Sequence, residues 1–201
     1  MNIVIDETYR LKLKRKQQIR KKIKIAAVST PKDGLHKKST LIQKNLYSLP
    51  EYNDAKAIYI YLSSFNHEVD TFSIIKDFMS KGGEVIVPIV NMKRNELIHS
   101  ELRTLGSLKR SRFNVWEPED KHIVNSDNVD MIIIPGIAYD LKGNRIGSGK
   151  GYFDRFLGNN DSLKIALAYE FQIIDDIPIT DNDIPVDIII TERRIIRIKN
   201  F

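Results

Sequence analysis

The chain has 201 residues, a formal net charge of +6 and no cysteine, so disulfides, thiolate nucleophiles and cysteine-ligated zinc are excluded, and a reducing compartment fits. With 42% hydrophobic and 29% charged residues the composition is globular; one domain over 1–201 is expected, with a basic N-terminal helical segment over about 1–46 and an α/β body over about 55–201. No apolar run approaches the ~20 residues of a membrane span, and no secretory signal is legible, so a cytoplasmic protein is expected.

In chain order, TYRLKLKRKQQIRKKIKIAAV reads as a basic amphipathic helix with Ile19, Ile23 and Ala26 or Ala27 on one face. Residues 1–44 carry 13 Lys and Arg against 3 Asp and Glu, whereas the rest of the chain is net −4. The basic excess therefore sits in one segment. It is a solvated helix face, a nucleic-acid arm, or one wall of a site for a polyanion. STPKDG breaks this helix. Thr30 is placed to cap, and Pro31 to open, a second helix reaching Leu46, with Leu35, Ile42 and Leu46 on its apolar side.

The pattern then changes. Residues 55–62, AKAIYIYL, form a strand candidate rich in β-branched and aromatic residues. DTFSIIKDFMSKGG reads as a helix with Phe72, Ile75 and Phe78 inward and Gly82 stopping it. EVIVPIV is unbroken apolar, as a buried parallel strand is. NELIHSEL is a further strand and RFNVWEPED a turn-rich connection. Residues 129–135, VDMIIIP, are the clearest buried strand. YFDRFL turns helical, KIALAY and VDIIIT are strands, and RIIRIK is a last, half-exposed one. No internal repeat is present. Strands alternating with helices predict an α/β domain with a mostly parallel sheet. Ligands in such sheets bind beyond the carboxyl ends of strands, and residues 135–153 leave one such end.

Within that stretch, GNRIGSGKGYFDRFL (residues 143–157) holds four of the chain's 10 glycines. It is not a P-loop, which would need glycine at Asn144 and a hydroxyl at Gly151. It is not a dinucleotide fingerprint, which would need glycine at Tyr152. The ingredients of a phosphate cradle are nevertheless there. Gly147, Gly149 and Gly151 allow positive φ and close backbone approach. Successive N–H groups can form an anion-binding concavity, a helix opening near Gly151 adds its positive end, and Arg145 and Lys150 add full charges. The competing reading is a mobile loop with incidental charges. The aromatic pair and the Asp-Arg directly after the glycines favour the cradle.

Residues 135–157, PGIAYDLKGNRIGSGKGYFDRFL, closely resemble the signature of the 5-formyltetrahydrofolate cyclo-ligase (methenyltetrahydrofolate synthetase) family, roughly P-G-[LIV]-A-[FY]-D-x-x-G-x-R-[LI]-G-x-G-x-G-Y-[YF]-D-R. KQQIRKKI is similar to the family's K-x-x-[LI]-R opening. LPEYNDAKAIYIYLS and HEVDT resemble the segments around its first strand, WEPED its E-P turn, and VDIIIT its V-D-x-[IV]-[IV]-T ending. The likeness runs from about Lys16 to Glu192. It implies a three-layer α/β sandwich with a mostly parallel central sheet flanked by helices. It also implies an ATP- and magnesium-dependent enzyme that converts 5-formyltetrahydrofolate to 5,10-methenyltetrahydrofolate, releasing ADP and phosphate. The γ-phosphoryl group goes to the formyl oxygen, N10 closes the ring on the formyl carbon, and phosphate leaves. Such chemistry needs cations, backbone donors and a metal more than a strong nucleophile.

Carried over residue by residue, the resemblance makes Lys16 and Arg20 ATP contacts, and their i, i+4 spacing puts both on one helix face. Arg145, Gly147, Ser148, Gly149, Lys150, Gly151, Tyr152 and Phe153 complete the ATP set. Gly149, Lys150, Gly151 and Tyr152 also meet the folate, with Glu68 accepting hydrogen bonds from the pterin, Leu62 as an apolar wall and Trp116 stacking. Asp154 and Asp187 match positions associated with Mg2+, for which a hard cation bridging phosphates uses one or two carboxylates. LSSFNHEVDT is one residue longer between Leu62 and Glu68 than in some relatives, and Phe153 stands where a second tyrosine is commoner. Plainer readings stand beside these: solvated cations for Lys16, Arg20 and Lys150, packing aromatics for Tyr152 and Trp116, a first-turn helix charge for Asp154 and a strand-entry residue for Asp187. The four histidines lack metal-ligand spacing. The expected partners are 5-formyltetrahydrofolate and ATP, with no nucleic acid and no membrane, acting on a monomer. The alternatives are a non-enzymatic nucleotide or nucleic-acid binding module on the same fold, which steep salt dependence would betray, and an ATP-dependent enzyme acting on another small molecule.

Overall fold

The computed structural model describes residues 7–112, 114–126, 128–158 and 160–198. Its helices are α1 (Glu7–Ser29), α2 (Lys32–Tyr47), α3 (Pro50–Asp54), α4 (Phe72–Ser80) and α5 (Tyr152–Leu157). Strands β1 (Ala57–Ile60), β2 (Glu84–Asn91), β3 (Glu96–Glu101), β6 (His122–Ile123), β7 (Met131–Ile134), β10 (Leu163–Leu167), β11 (Ile188–Ile190) and β12 (Ile195–Arg197) form one eight-stranded sheet in the order β12-β11-β10-β7-β1-β2-β3-β6. Two short hairpins stand apart: β4 (Leu108–Arg110) with β5 (Trp116–Pro118), and β8 (Ala138–Tyr139) with β9 (Arg145–Ile146).

Five neighbouring strands, β2, β1, β7, β10 and β11, run parallel; β3, β6 and β12 are antiparallel additions at the edges. The apolar runs have a simple cause, because both faces are covered. Ile58, Ile60, Met131, Ile133, Ile165, Leu167, Ile188 and Ile190 face the core shared with Leu35, Ile42 and Leu46 of α2, Tyr52 of α3 and Ile74, Ile75 and Phe78 of α4. Their alternates Tyr59, Ile132, Ile134, Ala166 and Ile189 face a second core with Leu157 of α5 and Tyr139 of the β8–β9 hairpin. The period-2 alternation of a strand thus assigns each residue to one of two apolar layers. A third cluster joins Ile23 of α1 to Ile137, Ala138, Ile146 and Ile177.

The predicted elements recur with local differences. Thr30 does not cap α2; its hydroxyl donates to the Ala26 carbonyl at 2.9 Å, folding back on the preceding turn of α1, and Pro31 takes the cap position. In α4, Ile74 is buried where Phe72 was expected to be; Phe72 is half-buried against Trp116. Gly82 ends the segment with φ +80°. RFNVWEPED contains β5, and the β8–β9 hairpin was not foreseen.

The order of the parallel strands positions everything that follows. β2 lies on one side of β1, and β7, β10 and β11 lie in succession on the other. The chain therefore changes winding direction between β1 and β7. A crevice opens beyond the carboxyl ends of strands at such a reversal.

Candidate active site

A cavity of about 920 Å³ occupies that crevice, with Tyr61 and Leu62 at the end of β1 and Pro135 and Gly136 at the end of β7 among its lining residues. One end is cationic. The β8–β9 hairpin presents Arg145, which is only 4% exposed. Its Nη2 donates to Asp154 Oδ1 at 2.7 Å, so a buried cation has a carboxylate partner. Its Nε is buried without a hydrogen-bond partner among the described residues. An unsatisfied buried donor on a cavity wall is costly unless a ligand completes it.

The hairpin is set by Asp140. Its Oδ1 accepts from the N–H groups of Lys142 and Asn144, and its Oδ2 accepts from Asn144 Nδ2 and Ile177 N. No role was assigned to this fully buried carboxylate from the sequence, although an aspartate before a tight glycine turn is a recognisable signal.

The loop 147–151 carries the expected positive φ at two of its three glycines, Gly149 (+97°) and Gly151 (+67°); Gly147 has an ordinary backbone. A Cβ on Gly149 would lie 3.3 Å from Arg20 Nη2, a tight approach that a small shift of the guanidinium relieves, so the requirement for glycine there rests on its φ. Lys150 is exposed and makes no ion pair among the described residues. α5, opening at Tyr152, spans only six residues, so full side-chain charges dominate this end.

α1 closes over the loop. Lys16, 5% exposed as a residue, pairs its ammonium with Asp183 Oδ2, which also accepts from Thr180 N and Oγ1. One turn on, Arg20 Nε donates to the Gly147 carbonyl at 2.8 Å. Burial lowers the Arg20 pKa, with Asp183 opposing the shift. For Asp183, burial raises the carboxyl pKa, but the Lys16 and Thr180 hydrogen bonds outweigh it, and the net direction is down. Lys24 continues the stripe along the cavity. The i, i+4, i+8 spacing was in the sequence, yet nothing local separated Lys24 from its solvated neighbours.

The other end is aromatic and acidic. After β1 the chain turns so that Glu68 Oε2 accepts from Ser64 N at 2.6 Å and Phe65 N at 3.1 Å. Burial raises the Glu68 pKa, while these N–H groups and Lys24 pull it back. Phe65 and His67 stack with centroids 5.6 Å apart and an interplanar angle of 7°. Burial, then Lys24, lowers the His67 pKa to about 4, so its ring is neutral near pH 7. Trp116 donates its backbone N–H to Ser64 Oγ, meets Phe72 edge-on and carries the Arg110 guanidinium 4.3 Å above its ring. Tyr152 has Arg155 over its ring, and Phe153 packs against Tyr59.

Lys16, Arg20, Leu62, Glu68, Trp116, Arg145, residues 147–151, Tyr152, Phe153 and Asp154 all line this cavity. Asp187 does not. It precedes β11, at the amino end of the parallel strands, and its Oδ2 accepts from Lys164 N at 2.8 Å. Asp130 does the same before β7, accepting from Lys56 N and Ala57 N. Both are strand-entry residues that satisfy the first N–H groups of a neighbouring strand. Of the two aspartates expected at magnesium, only Asp154 lines the cavity, where its Oδ1 accepts from Arg145 Nη2 and, at 3.4 Å, from Ile184 N; Asp187 is absent from the lining and its Oδ2 is taken by Lys164 N. Among the described residues there is no group of three His, Asp or Glu able to hold a metal by itself, and no helix is long and apolar enough to cross a membrane.

Comparison with known proteins agrees with this geometry. Residues 12–192 match the model of the 5-formyltetrahydrofolate cyclo-ligase family. The chain is 28% identical over 178 residues to the 5-formyltetrahydrofolate cyclo-ligase of Haemophilus influenzae, covering 86% of this chain and 95% of that protein. It is 30% identical over 200 residues to that of Saccharomyces cerevisiae, covering 87% and 94%. The NMR structure of Aquifex aeolicus 5,10-methenyltetrahydrofolate synthetase superposes with a TM-score of 0.81 at 33% identity, covering 92% of this chain and 94% of that one.

Proposed function

The chain belongs to the 5-formyltetrahydrofolate cyclo-ligase family, and we propose that it converts 5-formyltetrahydrofolate to 5,10-methenyltetrahydrofolate, with the γ-phosphoryl group of ATP passing to the formyl oxygen so that ADP and phosphate are released. The observation that carries the reading is the mixed lining of one cavity. Two connected groups share it: Lys16, Arg20, Arg145 and Lys150 around the loop 147–151, which Arg20 holds at the Gly147 carbonyl, and Glu68, His67 and Trp116 around the turn after β1, joined through Ser64. A polyanionic nucleotide fits the first and a heteroaromatic ring with N–H donors fits the second.

An N-formyl group is an amide and a poor electrophile. Phosphorylation of its oxygen makes that oxygen a leaving group, and N10 then attacks the formyl carbon. The protein's part is to bring two substrates into line and neutralise transferring charge. Arg145 offers its free Nε–H from a water-poor wall, where a charge-assisted hydrogen bond is strongest. Lys16 and Arg20 fix α1 over the loop, and Lys150 neutralises phosphate oxygens from the solvent side. Glu68, held by two backbone N–H groups, accepts hydrogen bonds from the pterin; Leu62 and Trp116 enclose that ring, and Tyr152 lies between the two halves.

Asp154 fits a magnesium site. It is one carboxylate on the cavity wall beside the cationic loop, and Mg2+ takes one or two carboxylates with substrate phosphates and water. Magnesium held by Asp154 would supply charge neutralisation for the transferring phosphate; Asp187, whose Oδ2 is taken by Lys164 N, is left out of this proposal. The whole chain forms one catalytic domain, active as a monomer in the cytoplasm.

The test is to mix purified protein, 5-formyltetrahydrofolate and MgATP and follow methenyl absorbance. ATP-dependent product formation is expected; absence of turnover by folded protein overturns the reading.

A further inference from the structure

Gln172 is fully buried, and one amide reaches four main-chain groups in the segments that follow three adjacent strands. The two N–H groups of its Nε2 face three carbonyls, His67 at 3.1 Å, Gly136 at 3.2 Å and Ile137 at 3.0 Å, so one hydrogen is shared. Its Oε1 accepts from Tyr169 N at 2.8 Å. His67 follows β1, Gly136 and Ile137 follow β7, and Tyr169 follows β10. The side chain therefore spans the winding reversal and ties both lips of the cavity together.

We propose that Gln172 is the positioning residue for the folate half of the site; the proposal rests on the cyclo-ligase reading. The His67 carbonyl belongs to the turn that carries Glu68, Phe65 and His67 into the cavity. Within that turn the Glu68 carboxylate already binds Ser64 N and Phe65 N, so the turn moves as a unit. Its position relative to β7 depends on Gln172, helped by Tyr169, whose hydroxyl donates to the Glu68 carbonyl at 3.2 Å. The phosphate half is held otherwise: by Asp140, by the bond from Ile137 N to the Ile146 carbonyl at 2.7 Å, and by Arg20 on Gly147. Gln172 meets this half only at the Gly136 and Ile137 carbonyls, where the Ile137–Ile146 bond, Asp140 and Arg20 remain when it is lost, so loosening Gln172 displaces the folate contacts more than the nucleotide contacts.

The experiment compares wild type with Gln172→Met, which keeps length and loses every polar contact, and Gln172→Asn, which keeps the amide but shortens its reach. Each substrate is varied in turn, and amide hydrogen exchange is followed without substrates. In both variants the KM for 5-formyltetrahydrofolate rises about tenfold, the effect of one or two lost buried hydrogen bonds, while the KM for ATP stays within about twofold. Exchange at Ser64 and Phe65 accelerates about tenfold, and exchange in β1 and β7 does not change. An unchanged folate KM, or an equal rise of both KM values with accelerated exchange across the sheet, overturns the proposal. A wild type that exchanges normally but shows no turnover overturns the cyclo-ligase reading instead, and unchanged exchange at Ser64 and Phe65 in the variants still refutes the tether.

Discussion

The Nε of Arg20 lies 2.8 Å from the carbonyl oxygen of Gly147, a hydrogen bond across 127 positions of chain. It joins a helix otherwise rich in solvated cations to a loop whose backbone takes unusual conformations. Replacing Arg20 by alanine removes a charge and releases that carbonyl together. A hydrogen bond to a charged group contributes about 1.5–3 kcal/mol, so kcat/KM falls roughly 10- to 100-fold. The loss is expected mainly in KM for ATP. Arg20→Lys restores the charge without the fixed guanidinium plane and falls between the two. Steady-state kinetics with ATP varied measures it; an equal loss on the folate side alone would contradict the arrangement.

The glycines of the loop are not equivalent, and this separates two substitutions that look alike in sequence. Gly149→Ala forces a side chain onto φ +97° beside Arg20, at a cost of about 1–3 kcal/mol. Gly147→Ala meets only Arg145 Nη1 at 3.3 Å and has no left-handed backbone to strain. The first is expected to raise KM for ATP about tenfold or more, the second by a few-fold at most. A reversed order in the measured kinetics rules out loop geometry as the cause.

The two aspartates make a second contrast. Asp154→Asn weakens the pair with buried Arg145 and removes the carboxylate proposed for magnesium, so the concentration of Mg2+ giving half-maximal rate rises. Asp187→Asn alters the acceptor for Lys164 N at the entry to β11. It lowers the midpoint of thermal unfolding by a few degrees, consistent with about 1 kcal/mol, and leaves the Mg2+ dependence unchanged. A Mg2+ titration of both variants decides the matter. A shifted Mg2+ curve in Asp187→Asn would bring that residue back to the metal.

His67 predicts a pH effect of definite sign. Its folded pKa, about 4, lies below the ordinary 6.5 because burial and then Lys24 disfavour the charged ring. As pH falls through 6.5 the unfolded chain takes up a proton that the folded chain refuses. Stability is therefore lost between about pH 6.5 and pH 4 and is indifferent to this group above that window. Urea unfolding from pH 7.5 to pH 4.5 is expected to show a shallower decline for His67→Gln than for wild type. Parallel declines would mean that His67 is charged in the fold.

What the sequence disclosed follows from how far each interaction reaches along the chain. MIII of β7 is unbroken apolar because both its faces are covered, so its burial is written locally. β4 and β5 have three residues each and pair Leu108 with Pro118; segments so short have no period to read. Lys16 and Arg20 could be put on one face from their spacing, but their partners Asp183 and Gly147 are far away in sequence. Gln172 gave no signal, since a buried amide grasping backbone carbonyls requires nothing of the residues around it. Asp187 shows the converse: a carboxylate before a strand has the same local appearance whether it serves a metal or a neighbouring N–H.

The contacts of α1 have a further bearing on how the molecule comes to life. Lys16 finds its partner 167 positions later and Arg20 finds its own 127 positions later. Because the chain is made from its amino end, α1 precedes both partners: Arg20 stays unmatched until residue 147 has followed, and Lys16 until residue 183. A chain cut between Gly147 and Asp183 thus keeps the Arg20 contact and leaves the buried Lys16 ammonium without its carboxylate.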